Sequence, residues 1–311
     1  MSIRTKCRAL SLLSLLAILM GLSYHYVLSG NAPQETDFNV ELPALRALAA
    51  ASGEPETFVS EIRVELIGQN PIPSFASQAG AFRGTLTMVR TAYQLRSAST
   101  TLIIDTGMNE EMAREFGKNM VYFPDAFQRV QEAMSDASVV AVTHEHAEHI
   151  AGIALHPNPA SFIDALRLTS QQYEALGNFS PALHNLLQRY EPLDLVEPIV
   201  IAPGVVMIGA AGHTPGSVMY YVQLRNGEEI LFIGDTAWWM ENVRAARGRP
   251  RFVQQLFMHS PEDRTAVLRQ LRYLHEIYLQ GDVLIVASHD EEQLNRLLRQ
   301  DVVKQGFNDS P

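Results

Sequence analysis

Residues 144–149 read His144-Glu145-His146-Ala147-Glu148-His149 and follow directly on the apolar, β-branched run 137–143. Such a run reads as a buried strand. A strand that ends in this motif carries three imidazoles and two carboxylates to the rim of a sheet. Neutral imidazole and carboxylate are the groups that zinc and similar divalent ions take as ligands. The motif therefore demands a sheet whose other strand ends supply matching partners, and the rest of the chain offers them. The apolar run 205–208 leads to Gly212-His213-Thr214-Pro215-Gly216-Ser217. Residues 229–233 end in Gly234-Asp235-Thr236, residues 283–287 in Ser288-His289-Asp290, and residues 100–104 in Asp105-Thr106-Gly107. A polar ligand just past each of several strands is how sheet enzymes assemble a site.

The periodicity between these motifs alternates strand and helix. Strands are expected at 57–67, 85–95, 100–104, 198–202, 205–208, 218–224, 229–233 and 282–287. Residues 96–99 join the second and third, and Asn226-Gly227 marks a hairpin. Met219, Tyr220 and Tyr221 read as core with one face outward. Helices are expected at 42–51, 109–116, 125–134, from 150 onward, in two or three pieces over 159–192, and at 261–279 and 291–303. Thr169, Asn178 and Ser180 are candidate caps or turn residues.

The chain has 311 residues and a net charge of -10. Arg4, Lys6 and Arg8 are the only charged residues in the first 30, so the remainder carries 21 basic against 34 acidic side chains. No basic patch is visible, which excludes nucleic acid as the main partner. The one cysteine, Cys7, lies outside any folded core, so the chain holds neither disulfide nor thiolate ligand, and a metal site has only His, Asp and Glu to draw on.

Arg4, Lys6 and Arg8 precede an apolar run from Ala9, the pattern of an export segment whose basic end stays in the cytoplasm. Two readings stand. A signal peptide is cut near Val27-Leu28-Ser29, or residues 9–28 remain as an anchor with Tyr24 and Tyr26 at the interface. Either places the rest on the periplasmic side of the inner membrane, anchored or released. The expected division is 1–28 as signal or anchor, 29–57 as linker and lead-in helix, and 58–311 as a catalytic domain.

In order and spacing, His144-x-His146-x-Glu148-His149, His213, Asp235, His289 and Asp105-Thr106-Gly107 resemble the metallo-β-lactamase superfamily over roughly residues 58–295. The resemblance implies an α/β fold, a four-layer αβ/βα sandwich of two mixed sheets with outer helices. It implies two zinc ions, with iron or manganese as substitutes. His144, His146 and His213 hold the first; Glu148, His149 and His289 hold the second; Asp235 bridges them. Asp105 orients a ligand. Glu148 departs from the family, which has Asp there; the longer side chain either still ligates or acts as a base.

Two adjacent cations lower the pKa of a shared water to give hydroxide near neutral pH. The expected activity is hydrolysis of an ester, lactone or amide in a small molecule, with Asp235 and Glu148 as the catalytic carboxylates. A phosphodiesterase-like hydrolase and a non-catalytic metal- or ligand-binding sandwich are the alternatives. The C-terminal third is similar to the acyl-homoserine lactonase branch, which has a tyrosine where this chain has Trp238. Trp238 and Trp239 form either a substrate wall or core packing. His156, His184, His259 and His275 lack partners in the sequence pattern. The arginines of 244–251 either meet an anion or lipid, or are solvated.

Overall fold

Strands rich in Val, Ile and Leu pair into two mixed sheets in the computed structural model, which describes residues 3–82, 84–256 and 262–307. His259 and the expected helix start at 261 lie outside these residues. The strands are β1 (Glu61–Pro73), β2 (Thr85–Arg96), β3 (Thr101–Ile104), β4 (Val121–Tyr122), β5 (Val139–Ala141), β6 (Leu166–Arg167), β7 (Ile199–Ala202), β8 (Val205–Gly209), β9 (Val218–Gln223), β10 (Glu229–Phe232), β11 (Leu284–Val286) and β12 (Lys304–Gln305). The first sheet runs β12-β1-β2-β3-β5-β6, with β4 also on β1; the second runs β11-β10-β9-β8-β7. Parallel pairing joins β12 to β1, β3 to β5, β5 to β6 and β10 to β11, and the other pairs are antiparallel.

Period-two alternation sends one set of side chains between the sheets. Val64, Val89, Leu102, Met207, Tyr220 and Phe232 meet there. The opposite faces take helices. Leu271, Leu274 and Ile277 of the helix Arg264–Gln280, with Leu45 and Ala49 of the helix Leu42–Ala51, cover Met219, Tyr221 and Leu231. Val130, Met134, Ile150, Ile153 and Leu176 from three further helices cover Ile67, Ile103 and Val140. The result is the four-layer α/β sandwich of the metallo-β-lactamase fold. Tyr220 faces the inter-sheet core and Tyr221 the helices, and both are fully buried, so the expected outward face of β9 does not exist. A central strand between two covered faces has no solvent side.

Local chemistry sets the helix ends. Asp263 caps Arg264–Gln280 by accepting from the N–H groups of Thr265 and Ala266, and Gly281 ends it at φ +77°. Thr169 and Gln172 form a capping box on Ser170–Phe179, and Ser180 caps the helix Pro181–Leu186. Asn178 lies inside the first of these helices and caps nothing. The helix Ala147–Leu155 begins inside the histidine motif. Its Gly152 passes under the loop after β3, where a Cβ would lie 2.1 Å from the Thr106 carbonyl oxygen. That approach brings the β3 and β5 ends together.

Candidate metal centre

The loops after β3, β5, β8, β10 and β11 converge at one edge of the sandwich. Ring nitrogens of His144, His146 and His213 and a carboxylate oxygen of Asp235 form one set, and Glu148, His149 and His289 a second; within each set the atoms lie within 4.8 Å of one another. His146 Nδ1 is 3.1 Å from both His144 Nε2 and His213 Nε2. Asp235 Oδ2 stands 3.3 Å from His213 Nε2 and 3.8 Å from His144 Nε2. A tetrahedral zinc with ligands at about 2.0–2.1 Å has donor edges of about 3.3–3.4 Å, so the first set fits the ion. Asp235 Oδ1 faces the other set, 3.0 Å from His289 Nε2 and 3.7 Å from His149 Nε2. His149 Nε2 is buried with no hydrogen-bond partner, as a lone pair kept for a metal is.

Four of the five rings are fixed from behind, and the His146 Nε2 is buried without a hydrogen-bond partner among the described residues. Asp105 Oδ2 accepts from His149 Nδ1 at 2.8 Å. The Thr143 hydroxyl donates to Asp105 and accepts from His144 Nδ1 at 3.0 Å. The Val89 carbonyl accepts from His289 Nδ1 at 2.6 Å, and Glu262 from His213 Nδ1 at 3.0 Å. These acceptors assign the proton to Nδ1 and turn the Nε2 lone pair inward. Asp105 does this from a left-handed backbone, φ +63°, which lets its carboxylate also take the Thr143 N–H at 2.7 Å.

The surrounding charges act differently on neighbouring rings. Burial, then the charge of His213, pushes the His146 imidazole down to about 4, which keeps it neutral for ligation. Burial also depresses His149, but Asp105, Asp235 and Glu148 overcome this and lift it to about 9. Burial lowers His213 as well, but its hydrogen bonds to Asp235 and Glu262 overcome this and raise it, so carboxylates on both sides of the pocket favour positive charge. Glu148 is buried at the start of its helix; burial raises its carboxyl, while His149, His146 and Arg90 bring it below the usual range.

Several participants carry no signal in the sequence pattern. Arg249 is buried, donates to the Asp235 carbonyl at 3.0 Å, pairs with Glu262 and lies 4.6 Å over the Trp238 ring. The 244–251 segment is therefore not simply a solvated basic loop. Arg90 is also buried, bonded to Asn70 Oδ1 at 2.6 Å and 4.1 Å over the Phe116 ring. Glu145, between His144 and His146, accepts from the Gly216 N–H at 2.8 Å and the Thr214 hydroxyl, latching the His146 loop to the His213 loop. Ser288 donates to Asp235 Oδ1 at 2.6 Å.

Trp238 is half-buried at the site, and its indole N–H donates to Asp235 Oδ2 at 2.8 Å; Trp239 is buried behind it. His156 and His275, expected to lack partners, are bound to the Gln131 and Val243 carbonyls, and His184 stacks on Tyr173, all away from the metal sets.

The sequence profile of the metallo-beta-lactamase superfamily matches residues 87–279. A comparison with curated protein sequences returns no match. Among solved structures, the chain resembles a quorum-quenching N-acyl homoserine lactone lactonase (17% identity, 76% of this chain and 95% of that one, TM-score 0.55). It also resembles an N-acyl homoserine lactone hydrolase with the product N-hexanoyl-L-homoserine at its catalytic metal centre (16% identity, 77% and 96%, TM-score 0.56). A third is a probable metal-dependent hydrolase from Staphylococcus aureus (15% identity, 75% and 91%, TM-score 0.52). At these identities the likeness is one of fold.

Proposed function

This chain belongs to the metallo-β-lactamase superfamily, and from that premise we propose an exported, membrane-anchored, two-zinc hydrolase that opens an ester or lactone bond of a small molecule. The observation that carries the reading is the carboxylate of Asp235, with Oδ2 toward the first histidine set and Oδ1 toward the second. The fold's likeness to N-acyl homoserine lactone hydrolases supports the acyl–oxygen bond as target.

In this account His144, His146, His213 and Asp235 would hold one ion, and Glu148, His149, His289 and Asp235 would hold the other. When bound, the pair supplies an activated water at neutral pH and polarises the carbonyl that it attacks. The protein's own groups do the rest. Asp105, Thr143, Glu262 and the Val89 carbonyl keep the imidazoles of His149, His144, His213 and His289 in one tautomer and orientation. Ser288 and Trp238 donate to Asp235 and hold its carboxylate ionised and in line. Asp105 and Glu262 are committed to imidazoles and Asp235 to the two ions it would span, so the second carboxylate oxygen of Glu148 is the group placed to take the proton of the attacking water and return it to the leaving oxygen. The Trp238 N–H is engaged by Asp235, so this chain has no donor at that position for the substrate carbonyl.

The apolar span Leu10–Leu28 supports the anchor and, with its basic lead, a periplasmic catalytic domain. A panel of esters, lactones, β-lactams, amides and phosphodiesters tests the chemistry, with Asp235→Ala as control. Turnover of esters or lactones that the variant loses is expected. Turnover confined to phosphodiesters, or an active Asp235→Ala, would overturn the proposal.

A further inference from the structure

The end of the apolar helix is stapled to the catalytic domain with no intervening linker. No residue of the span Leu10–Leu28 is buried, although Tyr26, Val27 and Leu28 at its end are half-buried, and at about 1.5 Å per residue its 19 residues match a hydrocarbon core of about 30 Å. Its last carbonyl, Leu28, already accepts from Arg247 Nη2 at 2.8 Å. Ser29 O accepts from Arg264 Nη2 at 2.6 Å, Gly30 O from the Gly248 N–H at 2.8 Å, and the Ala32 N–H donates to Ala246 O at 2.8 Å. The fit is tight: a Cβ on Gly30 would lie 2.4 Å from Ala79 Cβ and 2.9 Å from Gly248 O. A flexible linker would let the domain drift from the membrane; this strap fixes its distance and its facing side.

The elements around the strap expose large apolar side chains. The turn Tyr24–Leu28 packs on the helix Arg251–Leu256, and Phe252 of that helix meets Phe75 with ring centroids 5.9 Å apart. Phe75 is 37% exposed and Phe82 59% exposed. Both flank the tip of the β1–β2 hairpin, which extends past the β3 end at the metal-site edge: Tyr93 pairs with Ile104, and the residues before it on β2 run on beyond Asp105. Arg264 ties the two regions, its Nη1 reaching Gln254 and the Arg249 carbonyl while Nη2 holds Ser29. Gln254 and Arg249 both bind Glu262, the partner of His213.

We propose that the face carrying Phe75, Phe82 and the helix Arg251–Leu256 lies on the lipid bilayer from which the anchor emerges, so that the metal site opens at the membrane surface. The substrate class that suits this placement is an amphiphile whose apolar tail stays in the lipid while its acyl–oxygen bond reaches the site. The inference rests on the anchored reading proposed above and not on the identity of the bond cleaved.

The test uses the full chain in phosphatidylcholine/phosphatidylglycerol vesicles, with Cys7→Ser and one new cysteine carrying an environment-sensitive fluorophore. Phe82→Cys reports the proposed face. Ser99→Cys, in the exposed β2–β3 turn at the opposite end of the sheet, is the reference. The label at position 82 is expected to shift to the blue and to lose most of its emission when nitroxide lipids are added, while the label at 99 keeps its aqueous spectrum. Identical aqueous spectra at the two positions, in protein that stays with the vesicles, overturn the docking face and leave the anchor standing. Protein that does not stay with the vesicles overturns both, and neither result touches the hydrolase reading.

Discussion

His213 Nδ1 lies 3.0 Å from Glu262 Oε2, and the same carboxylate holds the buried guanidinium of Arg249. Glu262 thus fixes the His213 tautomer while its charge is balanced on the far side. Burial alone raises its carboxyl, but Arg249 and His213 hold it at about 2. Glu262→Gln keeps an acceptor for His213 and removes the charge. It is expected to weaken zinc binding about 10- to 100-fold, read by chelator competition. Unchanged affinity would mean that the pair only packs.

Glu148→Asp tests whether the longer side chain is fitted to this site. The substitution draws the carboxylate back by about 1.5 Å, one carbon–carbon bond. Metal distances tolerate only about 0.2 Å. The close approach of Gly152 in the helix Ala147–Leu155 to Thr106 opposes a compensating shift toward that loop. One ion is expected to be lost on dialysis while the other stays. Full retention of both would show that the position accepts either acid.

Gly152→Ala should destabilise the fold itself. The added methyl meets the Thr106 carbonyl oxygen at 2.1 Å, a backbone atom that can retreat only with its loop. Overpacking of this kind costs about 1–3 kcal/mol, measured as a lower denaturation midpoint. A wild-type midpoint would contradict the tight approach of the β3 loop.

Acid should destabilise the metal-free protein in two stages. His146 sits at about 4 against an ordinary 6.5, and Glu262 at about 2 against 4.5. In each case the folded form binds its proton at lower pH than the unfolded form. The contributions are therefore complete above 6.5 and 4.5 respectively, and are lost as pH falls through 4 and 2. Urea midpoints should fall from about pH 6.5 downward, and Glu262→Gln should flatten the lower stage. A midpoint constant over that range would contradict the assignment.

Much of the site was legible because ligands sit at strand ends, where an apolar run stops abruptly at His or Asp. His144, His213, Asp235 and His289 are found that way, and Asn226-Gly227 does form the β9–β10 turn. What escaped depends on contacts distant in sequence. Strands β6 and β12 are two residues each, too short for a periodic signal, and exist because Leu166 and Lys304 meet sheet edges. Arg249 and Glu262 look like surface charges until folding buries them against each other. Tyr220 and Tyr221 show only an apolar strand; that both faces are covered is set by the helix Arg264–Gln280 and by the opposite sheet.

The central claim is a two-ion centre spanned by Asp235, and zinc content tests it most directly. Full-length protein from zinc-supplemented expression, desalted and assayed by elemental analysis, is expected to carry about two ions per chain, and Asp235→Ala distinctly fewer. A folded wild-type chain that retains no metal would contradict it.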